Sequence, residues 1–186
     1  MSRIQPVDPQ TATGEARELL QAVQSQLGAV PAFLRVLAHS PKALGAFLGM
    51  HASLGAGALD HATQERIALA VAESNACEYC VSAHTAIGRK AGLSNEEMLL
   101  NRQGGSADRK AAAAVVLARA LNEHRGEVTG AEFDAARAAG LSDAEIVEVI
   151  GAVALNFFTN VIGKATRVEI DFPKVKLLPD THRAAA

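Results

Sequence analysis

The chain has 186 residues, of which 49% are hydrophobic and only 4% aromatic, and its formal net charge is −2. This length fits one domain, and the alanine-rich, aromatic-poor composition favours close-packed helices over a β-sandwich. The absence of a basic run or stripe excludes nucleic acid as an expected partner, because phosphate binding needs clustered Lys and Arg. The N-terminus lacks the apolar core of a secretory signal, and no run reaches about 18 uninterrupted apolar residues. We therefore expect a cytoplasmic protein that does not enter the membrane.

Apolar residues recur at helical spacing along nearly the whole chain, and glycine or proline stands at the breaks. The sequence therefore predicts an all-α fold. The expected elements are a helix over 16–27, a short segment over 31–38, and helices over about 41–55, 60–74, 77–90, from 94, over 108–123, from 129, and over 142–170.

Three capping boxes are predicted, at Ser94–Glu97, Thr129–Glu132 and Ser142–Glu145. The tetrapeptide that precedes the first box, Ala91-Gly-Leu-Ser94, recurs before the third as Ala139-Gly-Leu-Ser142. This echo fits either an old helical duplication or a common helix–turn–helix joint. We expect one domain over 1–186, with an N-terminal helical extension (1–57), a core (58–172) and a tail (173–186) that is extended or loosely docked.

The two cysteines of the chain form one Cys-x-x-Cys pair, Cys77 and Cys80, and His84 follows four residues later. In a helix that begins near Cys77, the three side chains share one face. The helix N-terminus favours thiolate, and a histidine at i+4 from Cys80 can act as its base or ion-pair partner. In a reducing compartment such a pair is more often catalytic or metal-binding than a structural disulfide. The motif predicts thiol chemistry or a metal site.

A histidine in this role usually needs an acid on its other ring nitrogen. Glu73 and Glu78 are nearest in sequence, but Glu65 is the better candidate if the chain folds back at Ser74-Asn75-Ala76. Asn75 favours such a reversal because asparagine tolerates the left-handed conformation that ends helices. The spacing allows this arrangement without requiring it.

Other polar residues carry weaker signals. A zinc site could use both cysteines and His84, with Glu65 or His61 as the fourth ligand, but a second ligand pair is missing. His51 and His61 are expected to be structural, although either could approach the thiols. Three polar residues on an otherwise apolar helix need hydrogen-bond partners if they are buried, whether from subunit packing or from a ligand: Asn156, Thr159 and Asn160.

The segment Glu65–His84 resembles the active-site signature of the AhpD-like alkylhydroperoxidases, which belong to the carboxymuconolactone decarboxylase superfamily. That signature is a glutamate, eleven residues, and then Cys-x-x-Cys-x-x-x-His, and every element is in register here. Four further segments resemble the branch often described as peroxidase-related: Val30-Pro31, Ser40-Pro41, Asn156–Asn160 and Asp171-Phe-Pro173.

The resemblance implies an all-α AhpD-like fold that assembles into homotrimers or hexamers and needs no cofactor or metal. It implies that Cys80 attacks the peroxide and becomes a sulfenic acid, that Cys77 resolves it to a disulfide, and that Glu65 and His84 relay protons. The implied electron donor is a dithiol, such as a lipoyl-bearing protein, and some relatives pass electrons to a peroxiredoxin. Tyr79 stands where some members have a histidine.

The sequence therefore predicts a thiol-dependent peroxidase that reduces organic hydroperoxides or hydrogen peroxide through a Cys77–Cys80 disulfide cycle. Two alternatives stay open. One is a decarboxylase or related lyase of the carboxymuconolactone type, which would not depend on the cysteine pair. The other is a non-enzymatic redox or zinc-binding oligomer.

Overall fold

The computed structural model describes residues 1–179, and within that range the regular structure is entirely helical. The prediction of an all-α fold is confirmed. The helices are α1 (Gly14–Leu27), α2 (Ala32–Leu37), α3 (Pro41–Gly55), α4 (His61–Ser74), α5 (Glu78–Lys90), α6 (Asn95–Gln103), α7 (Arg109–Glu123), α8 (Gly130–Ala138) and α9 (Asp143–Thr166).

Capping residues set most of these helix ends. The side chains of Ser40 and Asp60 accept hydrogen bonds from backbone N–H groups in the first turns of α3 and α4, and Gly28 ends α1 with a left-handed φ of 74°. The predicted capping boxes that begin α8 and α9 are both present. The box predicted at Ser94 is only half formed. The Ser94 hydroxyl accepts from the backbone N–H of Glu97, but the Glu97 carboxylate does not accept from the backbone N–H of Ser94.

The Glu97 carboxylate is instead the centre of a buried hydrogen-bond network. It accepts from Arg66 Nε at 2.8 Å, Asn101 Nδ2 at 3.0 Å, the Ala107 backbone N–H at 2.9 Å, and the Ser106 hydroxyl. Burial opposes ionisation, but these donors outweigh it and lower the pKa of Glu97 to about 2. The carboxylate thus ties α4 to α6 and to the loop that follows α6.

Replacing this carboxylate should destabilise the fold. We expect Glu97→Gln to lower the free energy of unfolding by about 3 kcal/mol, because buried donors lose a charged acceptor. Since folding depresses the pKa of Glu97 below its ordinary value of 4.5, its stabilising contribution is present above pH 4.5 and is lost as the pH falls toward 2. Urea unfolding of wild type, Glu97→Gln and the exposed control Glu96→Gln, at pH 7 and pH 3, measures both effects. Equal stability of the two variants at pH 7 would contradict this role.

The last helix ends at Thr166, four residues before the predicted end at Ile170. Arg167 takes a left-handed φ of 51°, and the N-terminal segment closes the helix end, since the Arg3 backbone N–H donates to the Thr166 carbonyl at 2.7 Å. Residues 167–179 then run without helix and are hydrogen-bonded to α2, α4, α5 and α6. The tail is therefore docked as far as it is described, and the remainder of the predicted tail, 180–186, lies outside the described residues.

Helix α9 packs against α2, α3, α4, α5, α7 and α8. By length and composition alone it could cross a membrane, with a mean hydropathy of 1.7 over its most apolar window. The run is not uninterrupted, since the polar residues Asn156, Thr159 and Asn160 lie within this helix. Half of that window is buried inside the protein, as expected of a core helix. The opposite side of the helix exposes large apolar side chains: Val147, Ile150, Phe157, Phe158 and Val161.

Two main hydrophobic clusters form the core. One contains residues of α7, α8 and α9 together with part of α4, and the other joins α1, α2 and α3 to the first turn of α5 and to the tail. Cys77 and Cys80 belong to the second cluster. The division into 1–57, 58–172 and 173–186 stays a prediction, but residues of all three segments meet around the cysteines.

Candidate active site

The joint between α4 and α5 brings the predicted site residues together. The chain reverses where the sequence predicted, but Ala76 rather than Asn75 takes the left-handed conformation, with φ of 50°. The Cys77 backbone N–H donates to the Ala72 carbonyl at 2.9 Å and so closes the turn. The reversal carries α5 back along α4, and the Asn75 side chain is left free for other contacts.

Cys77 is the N-cap of α5 and not its first helical residue. Its Sγ accepts a hydrogen bond from the Cys80 backbone N–H at 3.4 Å. Both cysteines are free thiols, and both are buried, with exposed fractions of 1% for Cys77 and 3% for Cys80. The two sulfurs therefore lie at a helix N-terminus and away from bulk water.

The two thiols share their protons unequally. The pKa of Cys77 is lowered, chiefly by a hydrogen bond from the Cys80 thiol. Burial opposes this shift, and smaller effects of the Cys80 backbone N–H, His84 and Lys164 add to it. The pKa of Cys80 is raised by the same thiol–thiol hydrogen bond, by burial and by the charge on Cys77. The pair thus gives up its first proton readily and holds the second.

His84 is hydrogen-bonded to a buried carboxylate. Its Nδ1 lies 2.8 Å from Oε2 of Glu65, a residue whose exposed fraction is only 6%. Burial alone would lower the pKa of His84, but the charge and the hydrogen bond of Glu65, with the negative charge on Cys77, raise it above its ordinary value. The carboxylate fixes the ring so that Nε2 remains available for proton transfer.

An apolar cavity of about 220 Å³ lies next to Glu65 and His84, which both line it. Cys80 lines the cavity and Cys77 does not. Its walls come from α1, α2, α3, α4, α5, α9 and Phe172, so the N-terminal extension supplies much of the lining. The apolar lining includes Leu27, Phe33, Leu34, Phe47, Leu48, Leu54, Leu155 and Phe172, and the polar side chains are Gln26, His51, Gln64, Glu65, Tyr79, His84, Asn156 and Thr159.

The two histidines expected to be structural differ in position. His51 lines the cavity, and burial lowers its pKa against the opposing charge of Glu65. His61 is mostly exposed, and its Nε2 lies 3.8 Å from Oε1 of Glu65. Asn156 also lines the cavity, and its Nδ2 donates to the Ala152 carbonyl at 2.9 Å. His51 is thus part of the cavity wall.

The other two candidate acids lie elsewhere. Glu73 accepts from Arg102 Nε at 2.7 Å and from the Leu178 backbone N–H at 2.7 Å, so it anchors the tail. Glu78 forms an ion pair with Lys174 at 3.2 Å near the surface. Neither is the partner of the histidine.

Tyr79 connects three parts of the chain, which sequence reasoning missed. Its hydroxyl donates to Asp171 Oδ1 at 2.9 Å and accepts from the Phe33 backbone N–H at 3.3 Å. The other Asp171 oxygen accepts from the Ala32 backbone N–H. Burial and the Asp171 charge raise the pKa of Tyr79, so the hydroxyl stays neutral. The contact fixes Phe33 and Phe172 in the cavity wall, and the only signal in the sequence was a helix stop at Asp171-Phe-Pro173.

Helix α9 packs against the dithiol through a glycine. A Cβ atom at Gly163 would lie 3.3 Å from the Cys77 Sγ and 3.8 Å from the Cys80 Sγ. The first of these distances is shorter than an ordinary van der Waals contact, so a side chain at this position would press on the Cys77 sulfur.

The zinc alternative finds no geometric support. Among residues 1–179, no group of three or more His, Cys, Asp and Glu side chains is arranged to hold a metal ion.

Comparison with known proteins identifies the class. The fold and the site define an all-helical protein with a buried dithiol, a Glu–His pair and an apolar cavity. Residues 40–123 match the carboxymuconolactone decarboxylase family, and a comparison with curated proteins gives no match. This match and the structures described next support the AhpD-like carboxymuconolactone decarboxylase superfamily for this chain.

Two solved structures of peroxidase-related proteins are similar over nearly the whole chain. The alkylhydroperoxidase AhpD core protein from Ralstonia eutropha JMP134 is 26% identical, with a TM-score of 0.79, and the match covers 91% of this chain and 92% of that one. The protein from Silicibacter sp. TM1040 is 25% identical, with a TM-score of 0.76 and coverages of 89% and 91%. The debrominase Bmp8, solved in complex with 2,3,4-tribromopyrrole, is 17% identical with a TM-score of 0.77 and coverages of 92% and 92%, and it shares the fold alone.

Proposed function

We propose that this protein is a dithiol peroxidase that reduces organic hydroperoxides through a Cys77–Cys80 disulfide. The observation that carries the proposal is the position of Cys80 on the wall of an apolar cavity that His84, hydrogen-bonded to buried Glu65, also lines. A nucleophile, a proton donor and a substrate-sized space thus occur together.

The reaction starts from Cys80 as thiolate, Cys77 as thiol and His84 as imidazolium. The Cys80 sulfur attacks the distal peroxide oxygen, the O–O bond breaks, and a Cys80 sulfenic acid forms. The departing alkoxide takes the proton of His84 and leaves as an alcohol. The Cys77 sulfur then attacks the Cys80 sulfur, its proton leaves with the hydroxyl as water, and a disulfide forms. An external dithiol supplies two electrons and two protons to restore the thiols.

Access decides which sulfur attacks. The lower pKa belongs to Cys77, but only Cys80 lines the cavity. Because the two thiols are coupled and share one proton after the first ionisation, either sulfur can carry the charge. A peroxide in the cavity therefore meets Cys80 first.

The direct test of the proposal is oxidation of the reduced protein by one equivalent of cumene hydroperoxide. We expect both thiols to be lost, and the mass to fall by two hydrogen atoms, with a Cys77–Cys80 disulfide in the peptide map. Retention of both thiols after this treatment would overturn the proposal. Activity on a carboxymuconolactone that survives alkylation of both cysteines would favour the lyase alternative instead.

The cavity should also select the peroxide. Its walls are mainly apolar, so a hydroperoxide with a phenyl or alkyl group gains binding free energy that hydrogen peroxide cannot gain. We expect the second-order rate of thiol oxidation to be at least about tenfold higher for cumene hydroperoxide, the equivalent of burying roughly 60 Å² of apolar surface. Stopped-flow traces with both oxidants at equal concentration give the ratio. A ratio of one or below would show that the cavity does not bind the organic group.

The electron donor and the assembly are proposed on two further observations. Because Cys80 is almost completely buried, the reductant must enter the cavity, as a dithiol on a slender arm such as a lipoyl group can, or a peroxiredoxin must provide such a segment. The exposed apolar side of α9 supports a homo-oligomer. Light scattering coupled to gel filtration determines the number of subunits.

A further inference from the structure

Asn160 of α9 has an amide group that is buried and only partly hydrogen-bonded. The exposed fraction of the residue is 1%. Its Oδ1 accepts a hydrogen bond from Asn75 Nδ2 at 2.9 Å, but its Nδ2 has no hydrogen-bond partner among the described residues. A buried donor without an acceptor destabilises the fold, and native proteins leave few of them.

The orientation of this amide is fixed by two other asparagines. Asn75 and Asn122 form a reciprocal pair, in which each Nδ2 donates to the Oδ1 of the other at 3.0 Å. Asn75 Nδ2 uses its second hydrogen for Asn160 Oδ1. A flipped Asn160 would place its own NH₂ group against that donor. The Asn160 nitrogen therefore points away from Asn75.

The thiols lie on the side of α9 to which Asn160 belongs. Gly163 is one helical turn further along α9, and a Cβ atom added there would lie within 4 Å of both sulfurs. The pKa of the Cys80 thiol is raised overall by the hydrogen bond to Cys77, by burial and by the charge on Cys77, and the Asn160 and Thr159 side chains oppose this rise. A neutral thiol is a weak acceptor, whereas a thiolate is a strong one. The unsatisfied donor is thus placed beside a group that becomes an acceptor when it ionises.

We infer that Asn160 donates a hydrogen bond to the charged Cys80 sulfur during the cycle, and that Asn75 and Asn122 are positioning residues for this donor. The inference rests on the proposed function for its place in catalysis. The Asn160 Nδ2 group has no acceptor while Cys80 is a neutral thiol, and it gains one when Cys80 ionises to the thiolate. The hydrogen bond therefore favours ionisation of the attacking sulfur.

The test measures ionisation of Cys80 without a peroxide. In a Cys77→Ser background, the rate of alkylation by iodoacetamide is followed from pH 5 to pH 11, so that the midpoint belongs to Cys80 alone. We expect Asn160→Ala to move the midpoint upward by about one pH unit, with an about tenfold slower reaction at pH 7 and equal rates at high pH.

Asn101→Ala is the matched control. Asn101 is fully buried and donates to Glu97 and to the Gly105 carbonyl, remote from the thiols. Its loss should lower stability and leave the alkylation midpoint in place. If Asn160→Ala does not fold, Asn122→Ala removes only the orienting partner of Asn75, and we expect a smaller upward shift of the same midpoint.

Midpoints that coincide with the Cys77→Ser parent in every folded variant of Asn160 and Asn122 would overturn the inference. Its failure is distinct from failure of the proposed function. A shifted alkylation midpoint in a protein that does not react with cumene hydroperoxide would support the donor role of Asn160 and reject the peroxidase.

Discussion

The Cys80→Ser variant is expected to lose hydroperoxide reduction by at least about a thousandfold, to the level of buffer. A serine hydroxyl stays protonated near neutral pH and cannot replace the thiolate as a nucleophile toward oxygen. The serine is nearly the same size as the buried cysteine, so the fold should be retained. Stopped-flow oxidation of the reduced variant by cumene hydroperoxide, with a count of the remaining thiols, measures the loss.

Cys77→Ser is the informative partner of this variant. It should react once with the peroxide, gain one oxygen atom at Cys80 and then stop, because no second thiol is present to form the disulfide. The opposite pattern, with Cys80→Ser reacting and gaining oxygen at Cys77, would mean that the lower pKa of Cys77 decides which sulfur attacks. The roles of the two cysteines would then be exchanged.

Glu65→Gln and His84→Ala should each slow thiol oxidation about a hundredfold at pH 7. Glu65 raises the pKa of His84, so the imidazolium that pairs with the thiolate persists to higher pH in the wild type. Without the carboxylate that pKa falls and the ion pair is lost near neutrality. Above about pH 9 hydroxide deprotonates the thiol directly, and the variant rates should approach the wild-type rate.

Glu73→Gln is the matched control for this pair. Glu73 is a similarly buried carboxylate on the same helix, but it is bound to Arg102 and not to the histidine. Rates from pH 6 to pH 10 for all three variants separate a relay from a general effect of buried charge. A wild-type rate in both Glu65→Gln and His84→Ala would remove them from the mechanism, and an equal loss in Glu73→Gln would show that the effect is not specific.

Short-range patterns in the sequence account for much of the fold and part of the site. The predicted helix ends at Gly28, Ser40 and Asp60 agree with the structure to within one or two residues, because capping depends on neighbours in the chain. The pair of Glu65 and His84 could be proposed because it depends on one reversal between adjacent helices. The structure brings these two side chains within hydrogen-bonding distance.

Contacts between distant segments could not be predicted in this way. Asn75 meets Asn160 across 85 residues and Tyr79 meets Asp171 across 92, and both contacts depend on how whole helices pack. Local rules also fail where a distant group competes. Glu97 has the spacing of a capping box, but the half-buried Arg66 and three other donors bind its carboxylate instead.

Gly163 bears on how far a structural change on oxidation of the dithiol extends through the protein. Because a Cβ atom at Gly163 would meet both sulfurs, α9 leaves little space beside the dithiol, and we expect the disulfide to form by rotation of the two cysteine side chains with little movement of the helices. We expect the oxidised and reduced proteins to have nearly the same hydrogen-exchange pattern outside residues 74–82. Oxidation confined to this segment would transmit no signal to a distant surface. That behaviour suits an enzyme that turns over repeatedly and disfavours a redox sensor.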